Sequence, residues 1–479
     1  MNPSETPGID RRELLSFGVS GLAATAFLGM LGAESASATG GKAPPALHPT
    51  PRAKRAIHIC LVGGLSQVDS FDYKPALEKW HGKPFPGQDK PTVFNGGVGK
   101  MRMNEWDFRR RGQSGLWVSE LFPHLATVAD ELTVIRSMVA ETSSHMPAIF
   151  QQLTGFRSNG FPSLGSWLSY GLGNESDSLP TFVAIPDARS LPNGGASNWS
   201  NGFLPARHQA ALFRHIDQPV PHLFAEKTIP PKAEKRALSA LAAINQAHLE
   251  RREGNDLLKA RIRAYELAAR MQTSVPEAIQ FDDEPQSVSD LYGLHDKETT
   301  DCARRCLLAR RLLERGVRFV QIFSGGALGG SPRHSWDGHE NNHESHSREA
   351  LLVDRPITGL LKDLKQRGML EDTLVLCTSE FGRTPFTQAP SNVLGLGRDH
   401  NAHGFTVWMA GGGLKKGFAY GETEELGWRS TVNPVTWPDF HATVLHLLRI
   451  DHRALTYYHN GIERRLTNVH GDVVSDLLS

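Results

Sequence analysis

Six short stretches of this chain are apolar almost throughout: 56–62, 132–139, 181–185, 317–323, 373–377 and 405–409. Each is shorter than an ordinary helix and rich in Val, Ile, Leu or Phe, so each reads as a strand buried on both faces. The first runs into Gly63-Gly64, a turn signal. Between the runs, apolar residues at helical spacing mark 118–131, 147–153, 301–315, 348–366 and 437–448. Fully apolar strands alternating with helices predict an α/β fold, a mostly parallel sheet with helices on both faces. In such sheets a binding site forms beyond the carboxyl ends of the strands.

Two regions depart from the alternation. Residues 232–271 are charged and rich in Ala, Leu and Arg, with a break at Gly254-Asn255. Leu238, Leu241, Ile244, Leu257, Ile262, Tyr265 and Leu267 fall there at roughly helical spacing. This predicts a helical insertion over about 230–275, packed against the sheet. At the other departure, Arg11-Arg12 and Leu14-Leu15 precede a moderately apolar run, 17–31, and the small residues Ala36-Ser37-Ala38. Residues 1–38 therefore resemble a twin-arginine signal peptide, and 39–55 read as a flexible linker ahead of one domain, 56–479. The run falls short of the roughly 20 strongly apolar residues of a membrane span. The expected destination is periplasmic or extracellular, with membrane contact only through an uncleaved signal.

Composition narrows the function classes. The 479 residues carry a net charge of +1, which gives no basis for binding nucleic acid. Four cysteines, with no Cys-x-x-Cys pair, argue against a disulfide framework.

The chemistry is concentrated in three places. Residues 334–346 hold His334, Asp337, His339, Glu340, His343, Glu344 and His346, directly after the 317–323 strand. Ser379-Glu380-Phe381-Gly382-Arg383 follows the 373–377 strand, and Arg398-Asp399-His400-Asn401-Ala402-His403 precedes the last. Imidazoles and carboxylates without cysteine suit a divalent cation, and a sheet would gather all three clusters at one edge.

Taken in order, these clusters resemble the alkaline phosphatase and sulfatase superfamily. The closer resemblance is to the exported, sulfatase-like family labelled "domain of unknown function 1501". It is carried by Gly63-Gly64-Leu65-Ser66-Gln67-Val68-Asp69-Ser70-Phe71-Asp72, Trp336-Asp337-Gly338-His339, Glu380-Phe381-Gly382-Arg383-Thr384-Pro385 and His403-Gly404. The resemblance implies an alkaline-phosphatase-like core and a divalent metal: zinc, calcium, magnesium or manganese. The metal ligands it implies are Asp69 (Asp72 less so), Asp337, His339, Glu380 and His403, with Asp399 a ligand or a carboxylate orienting one.

Two departures from the superfamily pattern shape the functional expectation. Sulfatases carry Cys/Ser-x-Pro-x-Arg and then Thr-Gly; here His145-Met146-Pro147-Ala148-Ile149 precedes Thr154-Gly155. His145 fills the nucleophile slot, so formylglycine chemistry is excluded. It remains a candidate metal ligand, general base or nucleophile. Ser144 and Ser143 stand beside it where a helix start would favour an anion. The superfamily's Asp-His-Gly is Glu380-Phe381-Gly382, so one imidazole is missing, and His400, His343 or His145 can replace it. Arg383 either binds the substrate's anionic group or pairs with Glu380. The expected activity is hydrolysis of phosphate or sulfate esters on a small molecule or polysaccharide. The alternative is a non-catalytic glycan- or anion-binding protein on the same scaffold.

Overall fold

The six apolar runs form the middle of the main sheet: β1 (Arg55–Leu61), β2 (Leu132–Val139), β3 (Phe182–Ile185), β4 (Phe319–Ser324), β5 (Thr373–Thr378) and β6 (Phe405–Gly411). The computed structural model describes residues 53–87, 97–213, 230–252, 256–326 and 333–479. The expected signal, 1–38, and most of the expected linker lie outside the described residues.

Across the sheet the strands run β2, β6, β5, β1, β4, β3, with Phe418–Tyr420 beyond β2 and Ala211–Leu212 beyond β3. β1 is parallel to both β4 and β5, and β4 is parallel to β3. β6 is antiparallel to β5 and β2, so the mostly parallel sheet is mixed. The connection explains the reversal. No helix follows β5 to carry the chain back. A ribbon of Gly382–Gln388 and Arg398–Asn401 keeps it at the carboxyl edge, and the next strand can only run the other way.

Alternation along β1 divides the core. Ile57, Ile59 and Leu61 face one cluster with the helices Thr300–Glu314 and α2 (Asn342–Gln366). Ala56, Cys60 and Val62 face the other, with α1 (His145–Thr154), Leu164–Leu172 and Trp437–Leu447. A strand covered on both sides has no polar face to offer, which is why its sequence is apolar apart from Arg55 at its start and His58, whose ring bonds Thr378.

Two helix expectations are corrected. Residues 118–131 are not an α-helix: Leu116–Ser119 is a strand paired with Phe108–Arg111, and Leu125–Glu131 is a 3-10 helix. Pro123 sits at the centre of that stretch and interrupts any continuous helix. The helix expected at 348 begins at Asn342, because the Asn341 side chain accepts from the Glu344 N–H at 3.2 Å and caps it. His343 and His346 are therefore helical. The helical insertion consists of Pro231–Glu250 and Asp256–Ile279, and Met271, Val275 and Ala278 of the second helix join the core. All four cysteines are buried and unbridged. Among the described residues no helix is long and apolar enough to cross a membrane.

Candidate metal centre

Four side chains converge at the carboxyl edge: His145, Asp337, His339 and His400, their ligand atoms all within 4.8 Å of one another. They come from different parts of the chain. His145 opens α1 behind β2, Asp337 and His339 lie in the bend before α2, and His400 lies in the strand Arg398–Asn401. The turn after β1 supports them. Trp336 N–H donates to the Val62 carbonyl at 2.9 Å, and Gly63, at φ +121°, passes so close that a Cβ would meet Asp337 N at 2.6 Å.

Each imidazole is held at Nδ1 by an oxygen. His145 donates to Glu380 Oε1 at 2.7 Å, His400 to the Ser143 carbonyl at 2.6 Å, and His339 to Gln388 Oε1. Those oxygens only accept, so each Nδ1 carries the proton and each Nε2 turns its lone pair inward. The three Nε2 atoms stand 3.5 Å (His145), 2.9 Å (His339) and 3.5 Å (His400) from Asp337 Oδ1. Four acceptors aimed at one another repel unless a cation, or a second proton on His145, lies among them. These three separations bracket the roughly 3.3 Å edge of a tetrahedron of ligands about 2.0 Å from zinc, and all four atoms lie within 4.8 Å of one another. The buried His145 Nε2 makes no hydrogen bond, as a donor awaiting an ion would. Three imidazoles and one carboxylate suit zinc better than calcium or magnesium, which take oxygen ligands.

The surroundings tune the donors. Burial pushes His400 down to about 2, so it is neutral and ready to ligate. Burial also works against charge on His145, but Asp337 and Glu380 outweigh it and raise its pKa, so an ion entering there displaces a proton. Burial disfavours the Asp337 anion, yet Arg383 and the three imidazoles hold its carboxyl well below the usual range. Arg333 pairs with its other oxygen. The phenyl ring of Phe381 packs 4.8 Å from His145 and 4.4 Å from His400, forming an apolar back wall.

The structure brings together Asp337, His339, His145 and His400 of the residues singled out from sequence, and it sets several others apart. Asp69 is buried against Arg398 at 2.8 Å and accepts from Ser66, Asn342 and the Glu105 N–H, outside the converging group. Glu380 is not in the group either; it grips the Gly63 N–H through both oxygens and orients His145 from behind. Asp399 accepts from the His400 N–H at 2.8 Å. Side chains alternate along a strand, so neighbours 399 and 400 face opposite ways. His403 lies beyond the strand, edge-on to Trp428 at 5.0 Å. Arg383, fully buried, pairs with Asp337 rather than Glu380 and spends its other donors on the carbonyls of Gly63, Gly64 and Arg398, which leaves no face for a substrate. Ser144 is the N-cap residue of α1, but its hydroxyl makes no capping bond. His343 stacks on Trp106 at 4.8 Å, away from the group. Gln388 and the Ser143 carbonyl carry no sequence signal for their role. A separate hollow of about 760 Å³, lined among others by Glu141, Asp439, Arg453 and His470, includes none of the four converging residues.

No curated protein matches the chain. Among solved structures, the alkaline phosphatase from the Antarctic bacterium TAB5 is 11% identical, over 85% of this chain and 99% of that one, with a TM-score of 0.36. The PsFucS1 sulfatase from Pseudoalteromonas sp. is 13% identical, over 86% and 74%, with a TM-score of 0.35. The lipoteichoic acid synthase LtaP from Listeria monocytogenes is 10% identical, over 84% and 74%, with a TM-score of 0.34. Likeness at this level lends nothing to the chemistry, which rests on this chain's own residues. The family model described as "Protein of unknown function (DUF1501)" matches residues 53–478, nearly all of the chain outside its N-terminal segment, and the protein belongs to that family.

Proposed function

We propose that this is an exported, metal-dependent hydrolase of anionic esters, phosphate or sulfate, on a small molecule or polysaccharide. One observation carries the reading: three imidazole Nε2 atoms and Asp337 Oδ1 face one another with every Nδ1 already committed to an oxygen. A divalent ion held by these four residues supplies Lewis acidity toward an ester oxygen and toward water. Export rests on the twin-arginine pattern in residues 1–38.

The chain's own groups prepare the rest. Arg383 and Arg333 both pair with Asp337, so the charge of an added ion is not cancelled by that carboxylate alone and can attract an anion. The N-terminal end of α1, directly at His145, adds its positive dipole end. Glu380 behind His145 and Gln388 behind His339 fix the ring orientations. With Nδ1 held by Glu380 and Nε2 turned toward the ion, His145 would serve as a ligand rather than a nucleophile. The Ser144 hydroxyl beside it, partly exposed, is the candidate nucleophile, with water as the other.

The test is hydrolysis of p-nitrophenyl phosphate and p-nitrophenyl sulfate by protein stripped with a chelator and then given zinc. The expected result is activity restored by zinc, absent in His400→Ala and reduced in Ser144→Ala. The occupied nucleophile slot favours the second reading, a glycan- or anion-binding protein. Zinc-loaded protein that binds anions without turning over either ester would establish it.

A further inference from the structure

The centre opens on one side. Asp337 and His400 are buried, whereas the side chains of His145 and His339 keep 11% and 13% of their surface exposed. An exposed aliphatic flanks each of them. Met146, next to His145 in the first turn of α1, is 49% exposed. Beside His339, Gly397 packs so tightly that a Cβ would overlap the His339 carbonyl, and Gln388 bonds its Nδ1. Between those two anchors the chain displays Val393, Leu394 and Leu396, all exposed. The Leu396 carbonyl accepts from Asn342 N–H at 3.0 Å, which ties this lip to the start of α2. Met103, also exposed, accepts through its carbonyl from Arg398, two residues before His400.

Among the described residues, four of the twelve exposed large hydrophobics, Met146, Val393, Leu394 and Leu396, therefore sit on segments that lead directly into a candidate ligand, and Met103 touches one of those segments through Arg398. Single exposed aliphatics are ordinary, but three in four consecutive positions beside a polar centre mark a contact surface. The charges around the opening are already paired, Arg383 and Arg333 with Asp337, Glu340 with Arg333, and Arg102, which bonds the Gly395 carbonyl of the lip, with Glu105, so what the lip adds is apolar area.

We infer that the site takes an anionic ester carrying an aliphatic chain, its head at the metal and its chain along Met146, Met103 and the 393–396 lip. This rests on the metal-centre reading above and names the substrate class for it. A polar ester of a sugar alone would leave the lip uncovered.

Isothermal titration of the zinc-loaded protein with inorganic phosphate and then butyl, hexyl and octyl phosphate tests the inference. Full burial of a methylene strengthens binding roughly fourfold. On a one-sided lip the expected gain is about twofold per methylene. The doubly substituted Val393→Ser, Leu396→Ser protein should bind inorganic phosphate as before and lose the chain-length dependence. Equal affinity for inorganic and octyl phosphate in the wild type, or an unchanged dependence in the variant, overturns the inference. Elemental analysis of the same preparations separates the two levels. A wild type that takes up no zinc defeats the metal reading and this inference with it, whereas a zinc-loaded protein with a flat series defeats this inference alone.

Discussion

Arg383 Nη2 lies 2.6 Å from Asp337 Oδ1, the same oxygen that the three imidazoles surround, and both side chains are buried. The pair locks a strand-end turn to this candidate metal ligand, with the guanidinium fork bridging backbone carbonyls on either side. Arg383→Ala should therefore destabilise the fold by about 3–5 kcal/mol, since it leaves a buried carboxylate and several carbonyls without their donor. Arg383→Lys should not restore it, because an ammonium lacks the planar fork. Chemical denaturation checks both. A substrate-binding arginine would instead show normal stability and altered KM.

Asp69 provides the complementary case. Its buried pair with Arg398 is structural, so Asp69→Asn should lower stability yet leave metal content unchanged. Elemental analysis beside a thermal melt reads both. Loss of metal with unchanged stability would return Asp69 to the ligand set.

Glu380 acts through His145. Glu380→Gln keeps an acceptor in place but removes the carboxylate behind the imidazole, and metal affinity should fall about 10- to 100-fold. Competition with a chelator of known affinity measures this. No change would mean that the Glu380–His145 bond does not bear on the centre.

A pH dependence follows from the buried network at the end of β3. Asp187 is disfavoured as an anion by burial, but Arg189 and Arg305 hold it at about 2, below its ordinary value of 3.8. A depressed carboxyl contributes stability that is complete above its unfolded pKa and is lost as pH falls toward the folded one. The stability difference between wild type and Asp187→Asn should thus shrink by about 2 kcal/mol between pH 5 and pH 2. Denaturation curves at several pH values test it, and a difference independent of pH would refute it.

The fold was legible because its strands are buried on both faces: every one of the six apolar runs is a strand of the sheet. Where Pro123 intervenes, periodicity misled, since helical spacing survives in the sequence even when the backbone cannot follow it. The site was legible as three clusters, not as a ligand set. Asp69 carries a family motif, but only the fold reveals Arg398 seated against it. His400 stands between Asp399 and His403, equally plausible ligands by type, and strand alternation selects it. Gln388, seven residues beyond Phe381, becomes a partner of His339 only through the ribbon that folds back over the edge.

The proposed activity turns on whether His145, Asp337, His339 and His400 hold an ion. The most direct measurement is elemental analysis of purified protein after zinc supply and dialysis, wild type beside His400→Ala, with Asp69→Asn as the folded control. Stoichiometric zinc in wild type and Asp69→Asn, lost in His400→Ala, is the predicted result. A wild type that retains no metal, or a His400→Ala protein that retains as much as wild type, would contradict it.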